Sequence, residues 1–143
     1  MEHKLQLGRL VDHIHLVVRD FEASKRFYRA ILRELGIAFV QQGADYFSAD
    51  ELFISSQQSP TAAGELSGRI HLAFQARDRA TVDRFHDAGL AAGGKDHGAP
   101  GVRPYHPGYY AAFLLDPDGN NIEAVFHGEA QRSAEAVAVT YQA

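Results

Sequence analysis

Three side chains set the chemical question in this sequence: His13, His71 and Glu123. Glu123 is the one carboxylate in Asn121–Phe126 (NIEAVF), the second half of YYAAFLLDPDGNNIEAVF (109–126). That stretch reads as two strands, Tyr109–Leu115 and Asn121–Phe126, joined by Asp116-Pro117-Asp118-Gly119. Proline presets φ for a turn and glycine accepts a positive φ, so the tetrapeptide signals a hairpin. Alternation along the second strand puts Asn121, Glu123 and Val125 on one face, opposite Ile122, Ala124 and Phe126. A charge buried in such a strand needs a partner or a metal.

The composition limits what could answer Glu123. There is no Cys among the 143 residues, which excludes disulfides, thiolate chemistry and Cys-based metal sites. Any metal must be held by His, Asp or Glu, and eight His is a high count for this length. Formal net charge is −4, so there is no basic footprint for nucleic acid or an anionic membrane. The start, MEHKLQLGRL, lacks the apolar run of a signal peptide. No stretch approaches the roughly 20 apolar residues of a membrane span. The expected location is the cytoplasm, the expected partner a small molecule, and the length suits one domain with a core.

The elements that must position these residues follow in order. Residues 1–9 are expected to be a loose leader. Leu10–Arg19 reads as a strand with Ile14, Leu16 and Val18 on the core face and His13, His15 and Val17 on the other. Asp20 is a candidate N-cap for a helix over Phe21–Leu35, which Gly36 ends. Ile37–Gln42, Tyr46–Ala49 and Leu52–Ser56 read as short strands, and Gln57–Gly68 as a loop. Arg69–Arg77 reads as a strand with His71, Ala73 and Gln75 on one face. Asp78 is a second N-cap candidate, for a helix over Arg79–Ala92 stopped by Gly93-Gly94. Lys95–Gly108 is expected to be a long Gly/Pro loop, a length that is usually functional. Residues 127–143 read as an Ala-rich polar tail, helical or disordered.

The order strand, Asp cap, helix, Gly stop occurs twice. Asp20 and Asp78, Phe27 and Phe85, and Gly36 and Gly94 are each 58 residues apart, and the same offset pairs His13 with His71. Matching the two IHL triplets pairs His15 with His71 instead, on the same face. The expected fold is α+β: two βαβββ modules, about 10–56 and 69–127, form a curved mixed sheet, a half-barrel around a cleft. His13, His71 and Glu123 line that cleft. His15 shares their face, as a substrate contact, a proton shuttle or a merely polar pocket residue. Gln75 and Asn121 are candidate substrate hydrogen-bonders. Tyr105, His106, Tyr109 and Tyr110 could form a lid that excludes water. His97 is read as facing solvent or substrate, and His3, His86 and His127 as uninvolved.

Residues 10–127 resemble the vicinal oxygen chelate superfamily, which includes glyoxalase I, extradiol dioxygenases and the fosfomycin- and bleomycin-resistance proteins. DHIHLVVRDFEASKRFY (12–28), IHLAF (70–74) and FLLDPDGNNIEAV (113–125) carry the resemblance. It implies that His13, His71 and Glu123 are metal ligands. Two His and a carboxylate form a facial triad with open positions for a substrate's neighbouring oxygens. The donors suit Fe, Mn, Ni, Co or Zn. The resemblance implies a metal-dependent glyoxalase-like lyase or isomerase, with Glu123 and His15 at the chemistry. The alternatives are an extradiol-type dioxygenase or a non-catalytic drug-binding resistance protein. Glyoxalase I has a fourth ligand Glu near the position of Phe53, and ring-cleaving members have a Tyr where Phe113 stands. Phe113 joins Gln75, Tyr105, His106, Tyr109 and Asn121 as an expected substrate contact. Short members work as homodimers, often with the site shared between chains.

Overall fold

The computed structural model describes residues 2–62, 66–134 and 136–142. The repeated pattern is realised as two four-stranded mixed sheets of identical topology. In the first module β2 (Ile14–Val18) leads into α1 (Phe21–Glu34), then β3 (Gln41–Gln42), β4 (Tyr46–Ala49) and β5 (Leu52–Ser56). In the second, β6 (His71–Gln75) leads into α2 (Arg79–Ala91), then β7 (Lys95–Val102), β8 (Tyr110–Leu115) and β9 (Asn121–Phe126). The sheet orders are β2-β5-β4-β3 and β6-β9-β8-β7. In each sheet the first and last strands of the module pair in parallel and the remaining pairs are antiparallel. The helices begin at Phe21 and Arg79, 58 residues apart, as the sequence offset requires.

Two compact units result. One holds both terminal strands with β2–β5, and the other holds both helices with β6–β9. In the second unit Phe27, Tyr28 and Ile31 of α1 and Val82 and Phe85 of α2 are fully buried. Ile31 lies against Gly89 of α2, and the Tyr28 hydroxyl donates to Asp116 Oδ2 at 2.5 Å. Asp78 caps α2 as expected, its Oδ1 accepting from the Thr81 N–H at 2.7 Å. Hydrogen bonds from the Asp118 and Asn120 N–H groups to Asp116 Oδ1 fix the β8–β9 turn, with Gly119 at φ +87°.

Several expectations need correction. Residues 2–7 are not a loose leader, and the tail is neither helical nor disordered over 137–142. Glu2–Leu7 is β1, paired antiparallel with β10, Val137–Gln142. Each strand is short and largely polar, and the partner that satisfies its backbone lies at the far end of the sequence. The Lys95–Gly108 loop is β7 as far as Val102. It is an edge strand with register shifts at Asp96/Gly98 and Gly98/Gly101, where Gly98 and Pro100 are tolerated. The strands beginning at Leu10, Ile37 and Arg69 are shorter than expected, so His13 precedes β2 and His71 opens β6. Val17 is buried, and Ser67 covers the edge of β2 beside it. The Ser67 Oγ accepts from Val17 N–H at 2.9 Å, and the Ser67 N–H donates to the Val17 carbonyl.

No helix among the described residues is long and apolar enough to cross a membrane.

Candidate functional site

The β8–β9 hairpin and β6 set the second sheet's site. Parallel pairing of β6 with β9 puts Ala73 beside Glu123, and antiparallel pairing with β8 puts Phe113 on its other side. Ala111, Phe113 and Val125 form a buried apolar cluster on this face, with Tyr109 packed against it. Glu123 is only 2% exposed within that wall.

A carboxylate so placed must be satisfied on both oxygens. His71 Nε2 lies 2.7 Å from Glu123 Oε1, and the Tyr109 hydroxyl donates to Oε2. An ionised carboxylate only accepts, so His71 carries its proton on Nε2 in this arrangement. The His71 side chain is 52% exposed, so the pair runs from the wall to solvent. The Phe113 ring meets the His71 ring edge-on at 6.0 Å. Burial, the hydrogen bond to Glu123 and the carboxylate charge push the Tyr109 phenol above its ordinary range. Asn121, the register partner of His71, shares a face of β9 with Glu123, and its Oδ1 is buried without a hydrogen-bond partner.

Around Tyr109 the loop after β7 gathers rings. Tyr105 and His106 meet it edge-on at 4.9 and 5.3 Å. His127, set aside in the sequence, meets Tyr109 at 5.4 Å and stacks on His106. Its Nδ1 lies 2.9 Å from His106 Nε2. Tyr110 departs from this group: its hydroxyl donates to Asp83 and its ring lies under the Arg79 guanidinium. Tyr109 precedes β8 and Tyr110 opens it, and the two adjacent tyrosines turn to different partners. Arg103 does not pair with Glu123. Its guanidinium sits over the Phe113 ring at 5.3 Å and donates to the Ala99 carbonyl. Gln75 ends β6, exposed, on the His71 face.

His13 and His15 belong to the first unit. His13 is exposed, with Nδ1 2.6 Å from Asp12 Oδ1. His15 Nε2 lies 2.8 Å from Ser55 Oγ, and its ring meets Phe53 edge-on at 4.8 Å. Burial, then the charge of His13, lowers the His15 pKa and favours the neutral ring. Nothing in the sequence singles out Ser55, which meets His15 only through folding.

The donors fit a divalent cation at one corner: an imidazole nitrogen and a carboxylate oxygen share a proton where they could share a metal. Among the described residues no group of three His, Asp or Glu comes together.

A family model described as Glyoxalase/Bleomycin resistance protein/Dioxygenase superfamily matches residues 10–124. The chain belongs to this superfamily. Its members similar to this one include a glyoxalase/bleomycin resistance protein from Albidiferax ferrireducens T118, whose crystal structure is 32% identical with a TM-score of 0.64. That match covers 82% of this chain and 98% of the other. A glyoxalase-related enzyme from Fulvimarina pelagi shares the fold at 23% identity and a TM-score of 0.67, covering 92% and 98% of the two chains. The uncharacterized protein YqjT of Bacillus subtilis is 33% identical, over 79% of this superfamily member and 95% of YqjT.

Proposed function

We propose that this superfamily member is a metal-dependent, glyoxalase-like lyase or isomerase acting on a small substrate with vicinal oxygens. The His71–Glu123 pair carries the reading: a buried carboxylate in an apolar wall, with one oxygen on an imidazole that reaches solvent. His71, Glu123 and His13 would hold a divalent ion of Fe, Mn, Ni, Co or Zn. When bound, that ion supplies Lewis acidity toward a substrate oxygen.

The chain's own residues have separate tasks in this reading. Glu123 supplies negative charge, and Tyr109 holds its second oxygen in place. Phe113 and Val125 keep water from the carboxylate. His15, oriented by Ser55 and kept neutral, takes and returns a proton. Gln75 and Asn121 offer hydrogen bonds to substrate, and Tyr105 and His106 border the site beside Tyr109. The protein acts in the cytoplasm as a homodimer, with His13 supplied by the same or the partner subunit.

Metal analysis of untagged protein tests this. The expected result is about one equivalent of transition metal per site, lost in His71→Ala and Glu123→Gln. Protein that holds no metal and gains no activity with any of the five ions overturns the proposal. A monomer by light scattering at micromolar concentration contradicts the dimer.

A further inference from the structure

Ala73, Glu123, Phe113 and Gly98 form a single row across β6, β9, β8 and β7, each the register partner of the next. Register partners share a face of the sheet, and the last position of this row carries no side chain. Arg103 takes that space. A Cβ at Gly98 would lie 3.4 Å from both Arg103 Nη2 and Phe113 Cβ, and a Cβ at Gly101 would lie 3.0 Å from Arg103 Nη1. The two glycines thus leave a berth in which the guanidinium lies over the Phe113 ring. From Glu123 to Gly98 the row spans two strand spacings, roughly 10 Å.

Arg103 is held there by backbone alone. Its N–H donates to the Tyr109 carbonyl at 2.9 Å, and its Nη2 donates to the Ala99 carbonyl at 2.6 Å. Among the described residues no carboxylate pairs with it. Carbonyls orient a guanidinium but leave its charge uncompensated and its other N–H donors for a ligand. The charge is felt at the Tyr109 phenol, whose hydroxyl donates to Glu123. A planar fork fixed in this way suits a carboxylate, which it can bind bidentately.

We propose that Arg103 sets the substrate class: the substrate carries, besides its vicinal oxygens, a carboxylate that Arg103 receives at the β7 end of the row. The inference rests on the proposed function for where the vicinal oxygens bind, and adds the group at the far end of the molecule. The net charge of −4 favours cations overall, so a preference for an anion has to come from a local group.

Catechol, dihydrocaffeate and dopamine share one pair of vicinal oxygens and differ at the far end, which is neutral, a carboxylate or an ammonium. Each is titrated into the Co(II)-loaded full chain and read by visible absorption and calorimetry. Dihydrocaffeate is expected to bind at least about tenfold tighter than dopamine, with catechol between them. Arg103→Met keeps an apolar stem on Phe113 and removes the charge. It should hold Co(II) within about twofold of the parent, while dihydrocaffeate and dopamine come within about twofold of each other. If Arg103→Met misfolds by circular dichroism, Gly101→Ala displaces the guanidinium with a methyl group instead. It should weaken dihydrocaffeate about fivefold or more and leave dopamine unchanged. A parent that takes up no Co(II) refutes the metal reading alone. The same probes are then read by amide shifts on the metal-free chain, where dihydrocaffeate should shift β7 and β8 at about a tenth of the dopamine concentration. Equal affinity for dihydrocaffeate and dopamine in the parent overturns the proposal, and so does a preference for dihydrocaffeate that survives Arg103→Met. Loss of Co(II) binding in Arg103→Met overturns it as well, because Arg103 would then support the site and not select the substrate.

Discussion

Phe53 stands in the first sheet where Glu123 stands in the second. His15 pairs with Phe53 across β2 and β5, and Ala73 pairs with Glu123 across β6 and β9. His15 and Ala73 are related by the same 58-residue offset that separates the helix starts. At equivalent points, therefore, one module carries a carboxylate and the other a phenyl ring. Phe53 is packed between His15 and Tyr46 as an aromatic surface, whereas Glu123 is hydrogen-bonded on both oxygens.

Metal affinity is accordingly expected to depend on the second position and not the first. Glu123→Gln keeps the shape of the side chain but removes its charge, and should weaken metal binding by about 100-fold or more. Phe53→Leu should leave metal affinity within about twofold. Titration of Co(II) into both variants, followed by its visible absorption, distinguishes them. Equal losses would show that the two modules contribute alike.

Tyr109 was expected at the site as a substrate contact, and its hydroxyl is taken up by Glu123. Tyr109→Phe leaves Glu123 Oε2 buried with no donor, which costs about 1–3 kcal/mol of stability. It should also weaken metal binding by about 10–100-fold, the usual effect of losing a group that orients a ligand. Urea denaturation of the metal-free protein reads the first effect and metal titration the second. A variant as stable as the parent would mean that water replaces the phenol.

The parts of the fold legible in the sequence are those fixed by local signals. Asp78 caps α2, Gly36 and Gly119 take positive φ, and β4, β5 and the two helices lie where periodicity puts them. The β1–β10 pair was not legible, because neither HKLQL nor VAVTY has a neighbour in sequence to pair with. β7 was masked by Gly98, Pro100 and Gly101, which an edge strand accommodates and a central strand would not. At the site, alternation placed Asn121 and Glu123 on one face, but which phenol met the carboxylate depended on the path of the loop. Tyr109 turns to Glu123 and Tyr110 to Asp83.

Helix contact in the second unit rests on a residue without a side chain. A Cβ at Gly89 would lie 2.2 Å from Leu114 Cδ1 and 3.1 Å from Ile31 Cγ2. Alanine ordinarily favours a helix over glycine, but Ile31 and Leu114 are fully buried and have little room to move. Gly89→Ala should therefore destabilise by about 1–3 kcal/mol through overpacking, read as a lower urea midpoint. Leu114→Ala in the same chain should recover part of the strain, giving a smaller combined loss than the sum of the two. Simple additivity would refute the contact.

Tyr28 gives the fold a dependence on alkaline pH. Its side chain is fully buried, and its hydroxyl donates to Asp116 Oδ2, the residue whose other oxygen holds the β8–β9 turn. Burial first, then the charge and hydrogen bond of Asp116, raise the phenol well above its ordinary value of about 10. The native state thus keeps a proton that the unfolded chain releases near pH 10. A group with a raised folded pKa stabilises fully below its unfolded value, and the contribution fades as pH climbs toward the folded one. Unfolding free energy should be level from pH 7 to 9 in this respect, then fall above about pH 10 by up to about 1.4 kcal/mol per unit. Tyr109 and Tyr110 titrate high as well, so the informative quantity is the difference from Tyr28→Phe. That variant should be less stable by about 1 kcal/mol at pH 7, because Asp116 Oδ2 loses one of its two donors and keeps only Asn120 Nδ2. Its deficit should shrink above pH 10, where the parent loses the advantage of the protonated phenol. Urea denaturation at several pH values measures both curves, and parallel curves would exclude Tyr28 as the source.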